Sequence, residues 1–372
     1  MTGVRHWQAV AVPDLMTRFR DLAAACDATV FWHPLEKPGE TLRRLADLAD
    51  GLGVRWDQYG ARGAVAVLEE EIEGLFGKPA AFFPSGVMAQ QSALRVWCDR
   101  AGTRRVAMPD LSHLLVHEQD GPRRVHGFEV EHLTQGEEVA TAESLHGVVG
   151  RLGAVLVELP LRDAGCRLPT WQELTDLSAA ARERGVPLHV DRARLWESQP
   201  FWGTSLAEIA ALTDSMYVSF YKGLRGLAGA ALVGPEDFLA EARVWRTRMG
   251  GTLYRSTPEA LAALLGLREL LPRMGECLVW ARALAEELPG VGITPNPTEP
   301  HTPTFLLHAG GGEDAVNERL LRVMERERLQ VTGPWRTSRE PGRVMTEVVV
   351  STPALEHEPR RIAELLAEIA LG

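Results

Sequence analysis

Three short apolar stretches of this sequence each end in polar residues of the kinds that catalyse reactions. Lys222 follows the stretch SMYVSFY and precedes a glycine-rich turn, and Asp191 ends the stretch VPLHV. Ser85 and Gly86 close a third stretch, AAFFP, where a helical pattern begins. If these stretches are strands of one parallel sheet, their carboxyl ends meet at the edge where such sheets bind ligands.

Each of these positions suits one part of a site for pyridoxal phosphate. A lysine between an apolar strand and a glycine-rich turn is partly desolvated, which lowers its pKa and favours Schiff-base formation. A carboxylate at the end of an apolar strand needs a positive partner, such as the protonated pyridine nitrogen of the cofactor. Backbone N–H groups at a helix N-terminus hold phosphate. The chain has only three lysines, Lys37, Lys78 and Lys222, so a lysine in an apolar stretch is expected to serve for its amine.

Each of these residues also has a purely structural interpretation. Lys222 is equally compatible with a solvated surface lysine, and the Ser-Gly turn with a helix start that binds nothing. Asp191 suits an N-cap or a salt bridge to Arg192 or Arg194. A strand ending in Asp followed by a strand ending in Lys is much more specific than either feature alone, and this order favours the cofactor site.

The elements that must position these residues alternate between strands and helices. Short apolar strands such as GAVLVELP and SMYVSFYK are separated by amphipathic helices such as TWQELTDLSAAARERG. This order predicts an α/β fold with a mainly parallel sheet covered by helices on both faces. We divide the chain into an N-terminal helical segment (1–56), a cofactor-binding large domain (57–256) and a small α+β C-terminal domain (257–372).

The composition argues against several classes of partner. The formal net charge is −10, so no basic surplus exists to neutralise the phosphates of a nucleic acid. The longest apolar runs are too short to span a membrane, and the stretch MTGVRHWQAVAVPDL lacks the apolar core of a signal peptide. The four cysteines are isolated in sequence, which predicts neither a metal site nor a disulfide framework. We therefore expect a cytoplasmic protein that binds no membrane.

The stretch from Asp57 to Arg255 resembles the threonine aldolase / β-eliminating lyase family of pyridoxal-phosphate enzymes. It covers over half of the chain, in the family's order. The resemblance implies the aspartate-aminotransferase type of fold, fold type I, with pyridoxal 5'-phosphate as the cofactor. The matching segments are DQYGARGAVAVLEEEIEGLFGKPAAFFPSGVMAQQ, LSHLLVHEQDG, ARERGVPLHVDRARLW and DSMYVSFYKGLRGLAGAALVGPEDFLAEARVWRTRMGG.

The resemblance implies a role for each matching residue on the cofactor side. Lys222 would bind the cofactor covalently. Asp191 would pair with the pyridine nitrogen and keep it protonated. Ser85 and Gly86 would hold the phosphate at the helix N-terminus, and His113 would stack on the ring face and is a candidate base.

The substrate side matches the family less closely. Arg194 would contact the ring hydroxyl or the substrate. The family's arginine for the substrate carboxylate is expected in the C-terminal strand, where GRVMTEVVVS offers Arg343, with Glu347 near the family position; Arg162 and Arg192 are the alternatives. The family's Glu-x-Thr-His motif, whose histidine lies close to the substrate hydroxyl, here reads ELPLRDAG and has no histidine.

The resemblance implies that the chain is a lyase acting on a small amino acid. The leading hypothesis is reversible cleavage of a β-hydroxy-α-amino acid to glycine and an aldehyde. β-Elimination, or another specialised lyase reaction, is the alternative within the same cofactor class. A non-catalytic protein that binds the cofactor or a protein partner is the alternative outside it, although the retained Lys222 and Asp191 speak against this. Family members place the cofactor at a dimer interface, which implies a homodimer or homotetramer.

Overall fold

A computed structural model describes residues 13–33 and 36–372 of the protein. The expectation about a signal peptide concerns mainly residues 1–12, which lie outside the described residues. The described chain forms two compact units: a larger one of residues 36–278 and 300–304, and a smaller one of residues 13–33, 279–299 and 305–372. Among the described residues, no helix is long and apolar enough to cross a membrane.

The strands of the described residues belong to a seven-stranded, a four-stranded and a two-stranded sheet. Most of them have two to five residues. In chain order the strands are β1 Ala28–Thr29, β2 Ala80–Phe83, β3 Arg105–Met108, β4 Glu129–His132, β5 Ala154–Glu158, β6 Leu188–Arg192, β7 Ser215–Ser219, β8 Ala230–Val233, β9 Thr294–Asn296, β10 Thr304–Gly310, β11 Leu329–Gln330, β12 Arg336–Thr337 and β13 Arg343–Val349.

Several helices end in a glycine with a left-handed backbone, such as Gly53, Gly77 and Gly185. In chain order the α-helices are α1 Pro13–Ala25, α2 Pro38–Leu52, α3 Gly63–Phe76, α4 Gly86–Ala101, α5 His113–Val116, α6 Gly121–His126, α7 Ala142–Gly147, α8 Trp171–Arg184, α9 Leu195–Trp202, α10 Leu206–Ala211, α11 Glu236–Arg248, α12 Thr257–Glu269, α13 Met274–Glu287, α14 Glu313–Glu327 and α15 Pro359–Leu371. Short 3-10 helices span Arg162–Ala164, Leu271–Arg273, Pro289–Val291 and Thr352–Glu356.

The seven-stranded sheet lies in the larger unit, with strand order β2-β8-β7-β6-β5-β3-β4. The neighbouring pairs from β7 to β4 are parallel, and β8 runs antiparallel to both of its neighbours. Strands β5, β6 and β7 are buried at every residue, because helices cover both faces. The predicted α/β fold with a mainly parallel sheet is confirmed.

The two faces of this sheet pack into separate apolar cores. One core joins side chains of β2, β3, β5, β7 and β8 to α4 and α11. The other joins the alternate residues of these strands, together with β6, to α3, α8, α10 and α12. Successive residues of a strand point to opposite faces, so membership of a core shows the direction in which each strand-end side chain points.

The smaller unit combines helices with an antiparallel sheet. Its four-stranded sheet has the order β12-β13-β10-β9, in which β9 pairs antiparallel with β10 and β12 antiparallel with β13. The short β1 pairs parallel with β11, and Arg18 of α1 donates to Glu318 of α14 at 2.8 Å. The predicted small α+β fold of the C-terminal part is confirmed.

Candidate active site

Paired positions of the three central parallel strands bring three polar side chains next to one another. In the sheet register, Glu158 of β5 pairs with Asp191 of β6, which pairs with Tyr217 of β7. The preceding residues Val157 and Val190 belong to the core on the opposite face, so Glu158, Asp191 and Tyr217 all point to the face that α4 covers. This edge of a parallel sheet is where α/β proteins bind ligands.

Asp191 is a carboxylate that the fold removes from water. It is 2% exposed, and its Oδ1 accepts a 2.9 Å hydrogen bond from the backbone N–H of Ala193. Burial raises the pKa of Asp191, and the positive charge of Lys222 opposes that rise. The ionised form is therefore favoured only with a cation close by.

Lys222 lies in the loop that joins β7 to β8 and is partly buried. Burial lowers the pKa of its amine, and the charge of Arg194 lowers it further. The carboxylates of Asp191 and Glu158 act in the opposite direction. The lysine thus belongs to a group of buried charges, an environment that favours the unprotonated, nucleophilic amine.

The glycines after Lys222 allow the loop to turn back on itself. A Cβ on Gly223 would lie 2.7 Å from Oε1 of Glu197, so a side chain does not fit there. The backbone N–H of Gly226 donates to the carbonyl of Phe220 at 2.7 Å, which closes the turn. The glycine-rich sequence after the lysine is therefore a packing requirement of this loop.

The start of α4 forms the third part of the predicted site. Ser85 caps the helix, because its Oγ accepts from the backbone N–H of Met88 at 3.3 Å. A Cβ on Gly86 would overlap the hydroxyl of Tyr217, so only glycine lets the helix approach β7 this closely. The N–H groups of Gly86 and Val87 have no acceptor within the described part of the chain. Free N–H groups at a helix N-terminus attract anions.

Arg194 is buried and held by two residues that the sequence did not single out. Its Nη1 donates to Oε2 of Glu197 at 3.2 Å and to Oγ1 of Thr304 at 3.0 Å. The Thr304 hydroxyl in turn donates to Oε2 of Glu197 at 2.7 Å. Glu197 also packs against Gly223, so these contacts connect Arg194 to the Lys222 loop. No motif in the sequence predicts Thr304 as a partner, because it lies 110 residues away along the chain.

Arg192 points away from these groups. It follows Asp191 in β6 and so faces the opposite side of the sheet, where its guanidinium lies 5.0 Å from the ring centroid of Trp202. It is fully buried, and burial lowers its pKa to about 9. This orientation argues against Arg192 as the residue that binds the substrate carboxylate.

His113 begins the short helix α5 and is partly buried. Its Nδ1 lies 3.1 Å from Oε1 of Glu118, and its charge acts on the pKa of Asp191. The ring of His117 lies next to it, with the two ring centroids 5.0 Å apart. The Nε2 of His117 makes a 2.9 Å contact with Oδ2 of Asp163.

Glu158 is a polar residue of the site that the sequence analysis missed. Its Oε2 accepts from the backbone N–H of His113 at 2.7 Å, and its Oε1 accepts from that of Arg162 at 3.2 Å. Burial and the neighbouring Asp191 raise the pKa of Glu158 to about 8. The signal was present, because Glu158 ends the apolar stretch GAVLVEL much as Asp191 ends VPLHV.

Arg343 belongs to the smaller unit, where it begins β13. Its guanidinium donates to Oε2 of Glu340 at 3.1 Å and to Oγ1 of Thr294 at 2.9 Å. Its expected contact with the substrate carboxylate stays a prediction. The larger unit holds Lys222, Asp191, Arg194, Ser85, Gly86 and His113, which are the other residues predicted for the site.

Comparison with known proteins assigns this chain to a family. The beta-eliminating lyase family matches residues 52–309, which is more than half of the chain. The chain belongs to the beta-eliminating lyase family.

Solved structures and a curated relative agree with this assignment. A candidate L-allo-threonine aldolase from Listeria monocytogenes is 32% identical, with a TM-score of 0.88 over 96% of this chain and 99% of its own. A candidate aromatic amino acid beta-eliminating lyase/threonine aldolase from Exiguobacterium is 34% identical, with a TM-score of 0.88 over 95% and 99% of the two chains. Low-specificity L-threonine aldolase 1 of Arabidopsis thaliana is 27% identical over 69% of this chain and 75% of its own.

Membership of the beta-eliminating lyase family confirms the predicted resemblance, the fold type, the lyase class and the pyridoxal 5'-phosphate cofactor. The residues present fit that cofactor. The backbone N–H groups of Gly86 and Val87 at the start of α4 can donate hydrogen bonds to its phosphate. The buried carboxylate of Asp191 can pair with a cationic ring nitrogen. Two further buried atoms, Oε1 of Gln90 and Oγ of Ser112, have no hydrogen-bond partner among the described residues.

Proposed function

We propose that this protein is a pyridoxal-phosphate-dependent aldolase that cleaves a β-hydroxy-α-amino acid to glycine and an aldehyde, and also catalyses the reverse reaction. The observation that carries the proposal is the position of a partly buried lysine, Lys222, in the loop after β7, the strand that pairs with β6 and its buried carboxylate Asp191. The charge of that carboxylate opposes the lowering of the pKa of Lys222. In a member of the beta-eliminating lyase family, this pair matches the needs of amino-acid chemistry at the α-carbon.

Each residue predicted to contact the cofactor has one task in this proposal. When bound, pyridoxal phosphate draws electrons away from the α-carbon of an amino acid and weakens the bonds to it. Lys222 holds the cofactor through its amine, and Asp191 keeps the ring nitrogen protonated by its negative charge. Ser85 and Gly86 bind the phosphate at the start of α4, and His113 covers the ring face.

The substrate carboxylate needs a guanidinium, which offers two parallel N–H donors. Arg194 suits a positioning role, because Glu197 and Thr304 hold it in one orientation. Arg162 and Arg343 are the two candidates for the carboxylate itself. The charge of Arg162 acts on Lys222, which favours Arg162.

A homodimer or homotetramer is part of the same proposal. An aromatic patch on the larger unit supports it: Trp56, Tyr59 and Tyr254 are 62%, 54% and 55% exposed. Large exposed aromatic side chains side by side mark an interaction surface, and the rings of Tyr59 and Tyr254 lie 5.3 Å apart. Light scattering on the wild type and on Tyr254→Lys would test this. We also propose a cytoplasmic location, which the free thiols of the cysteines suit.

Product analysis tests the proposed reaction. Purified protein with added cofactor is incubated with a panel of β-hydroxy amino acids of both configurations, and with serine and cysteine. Glycine and an aldehyde in equal amounts are the expected products. Pyruvate and ammonia from serine or cysteine, without glycine, would instead identify a β-eliminating lyase.

A further inference from the structure

A second histidine lies beside the predicted cofactor-stacking residue, and a carboxylate orients it. His117 follows α5, and the centroid of its ring is 5.0 Å from that of His113. Its Nε2 lies 2.9 Å from Oδ2 of Asp163, which belongs to the 3-10 helix after β5. An imidazole paired with a carboxylate through one nitrogen is a common arrangement for a general base.

Two further contacts fix the segments that carry His117 and Asp163. Glu158 accepts one hydrogen bond from each segment, from the N–H of His113 and from that of Arg162. Buried side chains from the same two segments also form a small apolar cluster. The pair is therefore held by a buried carboxylate and by packing, in addition to its own hydrogen bond. The members of the cluster are Leu111, Leu161 and Ala164.

The contact with Asp163 determines which nitrogen of His117 is basic. An ionised carboxylate only accepts hydrogen bonds, so Nε2 of His117 carries the proton and Nδ1 keeps its lone pair. Nδ1 of His117 has no hydrogen-bond partner among residues 13–33 and 36–372. In His113, by contrast, Nδ1 is the atom that faces a carboxylate, that of Glu118 at 3.1 Å.

The two histidines are also linked to different charged groups of the site. The charge of His113 acts on Asp191, the predicted partner of the ring nitrogen. Asp163 pairs with Arg162 at 3.6 Å, and the charge of Arg162 acts on Lys222, the amine at which substrate arrives. The His117 side chain is 36% exposed, so it can exchange its proton with water between turnovers.

We propose that His117, oriented by Asp163, is the base that accepts the β-hydroxyl proton of the substrate. This inference rests on the proposed function. In the cleavage direction the hydroxyl proton moves to Nδ1 of His117, and the O–H electron pair becomes the second bond of the aldehyde carbonyl. The bond between the α- and β-carbons breaks, and its electron pair remains with the α-carbon. That carbon then takes one proton, which gives glycine, so the products contain all the atoms of the substrate.

The test separates the hydroxyl step from the chemistry at the α-carbon. Cleavage turnover is measured with the panel member that the wild-type holoenzyme cleaves best. In parallel, NMR in heavy water follows exchange of the glycine α-hydrogens, which involves no hydroxyl group, and absorption spectra give the Kd for glycine. The variants are His117→Asn, His117→Ala and Asp163→Asn. The matched control is His146→Ala, which removes an exposed histidine of α7.

His117→Asn is expected to lower kcat for cleavage by about 10²–10⁴-fold, the usual contribution of a general base. Glycine exchange and the Kd for glycine should stay within about twofold of wild type, because neither depends on a hydroxyl group. Asp163→Asn should lower kcat by about tenfold or more without changing glycine binding, since an amide does not impose the same tautomer. Added imidazole should restore part of the activity of His117→Ala.

Other results overturn the proposal. Cleavage by His117→Asn within about twofold of wild type would mean that another group takes the proton. An equal loss of glycine exchange and cleavage would assign His117 to the α-carbon chemistry instead. A wild type that exchanges glycine hydrogens but releases no aldehyde from any panel member would refute the proposed function, and this inference with it. In that case the wild type itself fails to cleave, whereas the proposal for His117 expects cleavage by the wild type and its loss in the variant.

Discussion

The sheet side and the loop side of the candidate site are built in different ways. On the sheet side, Asp191 and Tyr217 are almost fully buried at paired positions of neighbouring strands. On the loop side, His113 and His117 are 26% and 36% exposed, and side-chain contacts with carboxylates hold them. The first group is positioned by backbone hydrogen bonds of a sheet, the second by a few hydrogen bonds between loops.

The contrast between the two sides has a chemical meaning. Burial changes the proton affinity of the sheet-side groups, since it raises the pKa of Asp191 and lowers that of Lys222. A cofactor with a cationic ring would stabilise the ionised carboxylate of Asp191, and its carbonyl group would react with the neutral amine of Lys222. The loop side stays open to water, which suits a region that must bind and release substrate. Glu158 connects the two sides, because it neighbours Asp191 and also holds the loop of His113.

Removal of the sheet-side amine should have the largest effect. Lys222→Ala is expected to lower turnover by at least about 10³-fold, because no other amine replaces the nucleophile. Borohydride reduction followed by peptide mapping should locate the cofactor on Lys222 in the wild type. The control is Lys78→Ala, since Nζ of Lys78 donates to the carbonyls of Ala210 and Thr213 in a structural role. Cofactor attached to Lys37 or Lys78 in the wild type would contradict the assignment.

Asp191→Asn should have the next largest effect. The variant should still bind the cofactor but turn over about 10–150-fold more slowly, because a charge-assisted hydrogen bond of about 1.5–3 kcal/mol is lost. Turnover and cofactor absorbance are measured together. Asp214→Asn is the control, since Asp214 accepts a 2.8 Å hydrogen bond from the N–H of Leu188 at the other end of β6. Near-normal turnover in Asp191→Asn would rule out the pyridine-partner role.

Substitution of the candidate carboxylate ligands tests the loop side. Arg162→Ala is expected to raise KM by about tenfold or more and to leave cofactor binding unchanged, because a guanidinium–carboxylate pair is lost. Arg343→Ala is measured beside it. A rise in KM in Arg343→Ala alone would move the carboxylate contact to the smaller unit. Unchanged KM in both variants would mean that the substrate carboxylate binds elsewhere.

Glu158, which links the two sides, is expected to make the stability of the folded protein depend on pH, and this effect is smaller than those above. Burial raises the pKa of Glu158 to about 8 from the ordinary value of 4.5. Between these pH values the folded, cofactor-free protein binds one more proton than the unfolded chain, so its stability falls as pH rises. Relative to Glu158→Gln, which does not titrate, the wild type should lose more than about 1 kcal/mol between about pH 5 and pH 8.

Urea unfolding at several pH values measures this difference. Glu183→Gln, which changes an exposed carboxylate of α8, is the matched control and should follow the wild-type curve. Parallel curves for the wild type and Glu158→Gln would show that Glu158 is ionised in the folded protein. In that case Glu158 would hold the loops as a charged rather than a protonated group.

Much of the sheet side could be predicted before the structure was known. Buried parallel strands are unbroken apolar stretches, so a charged residue at the end of one stands out, as Asp191 and Lys222 do. The same rule applies to Glu158, which the sequence analysis missed. The position of Gly86 was also readable, although its close packing on Tyr217 was not.

The amino-acid sequence by itself determined the α/β fold, because strands and helices follow local patterns with a period of two or 3.6 residues. It also indicated the strand-end residues and, through the family resemblance, the cofactor. Only the tertiary structure decided that Thr304 and Glu197 hold Arg194, that Arg192 faces away, and that Asp163 meets His117. The contacts of Arg194 with Thr304 and of His117 with Asp163 join segments far apart in the chain. Their geometry depends on how strands and helices pack, and no local pattern encodes it.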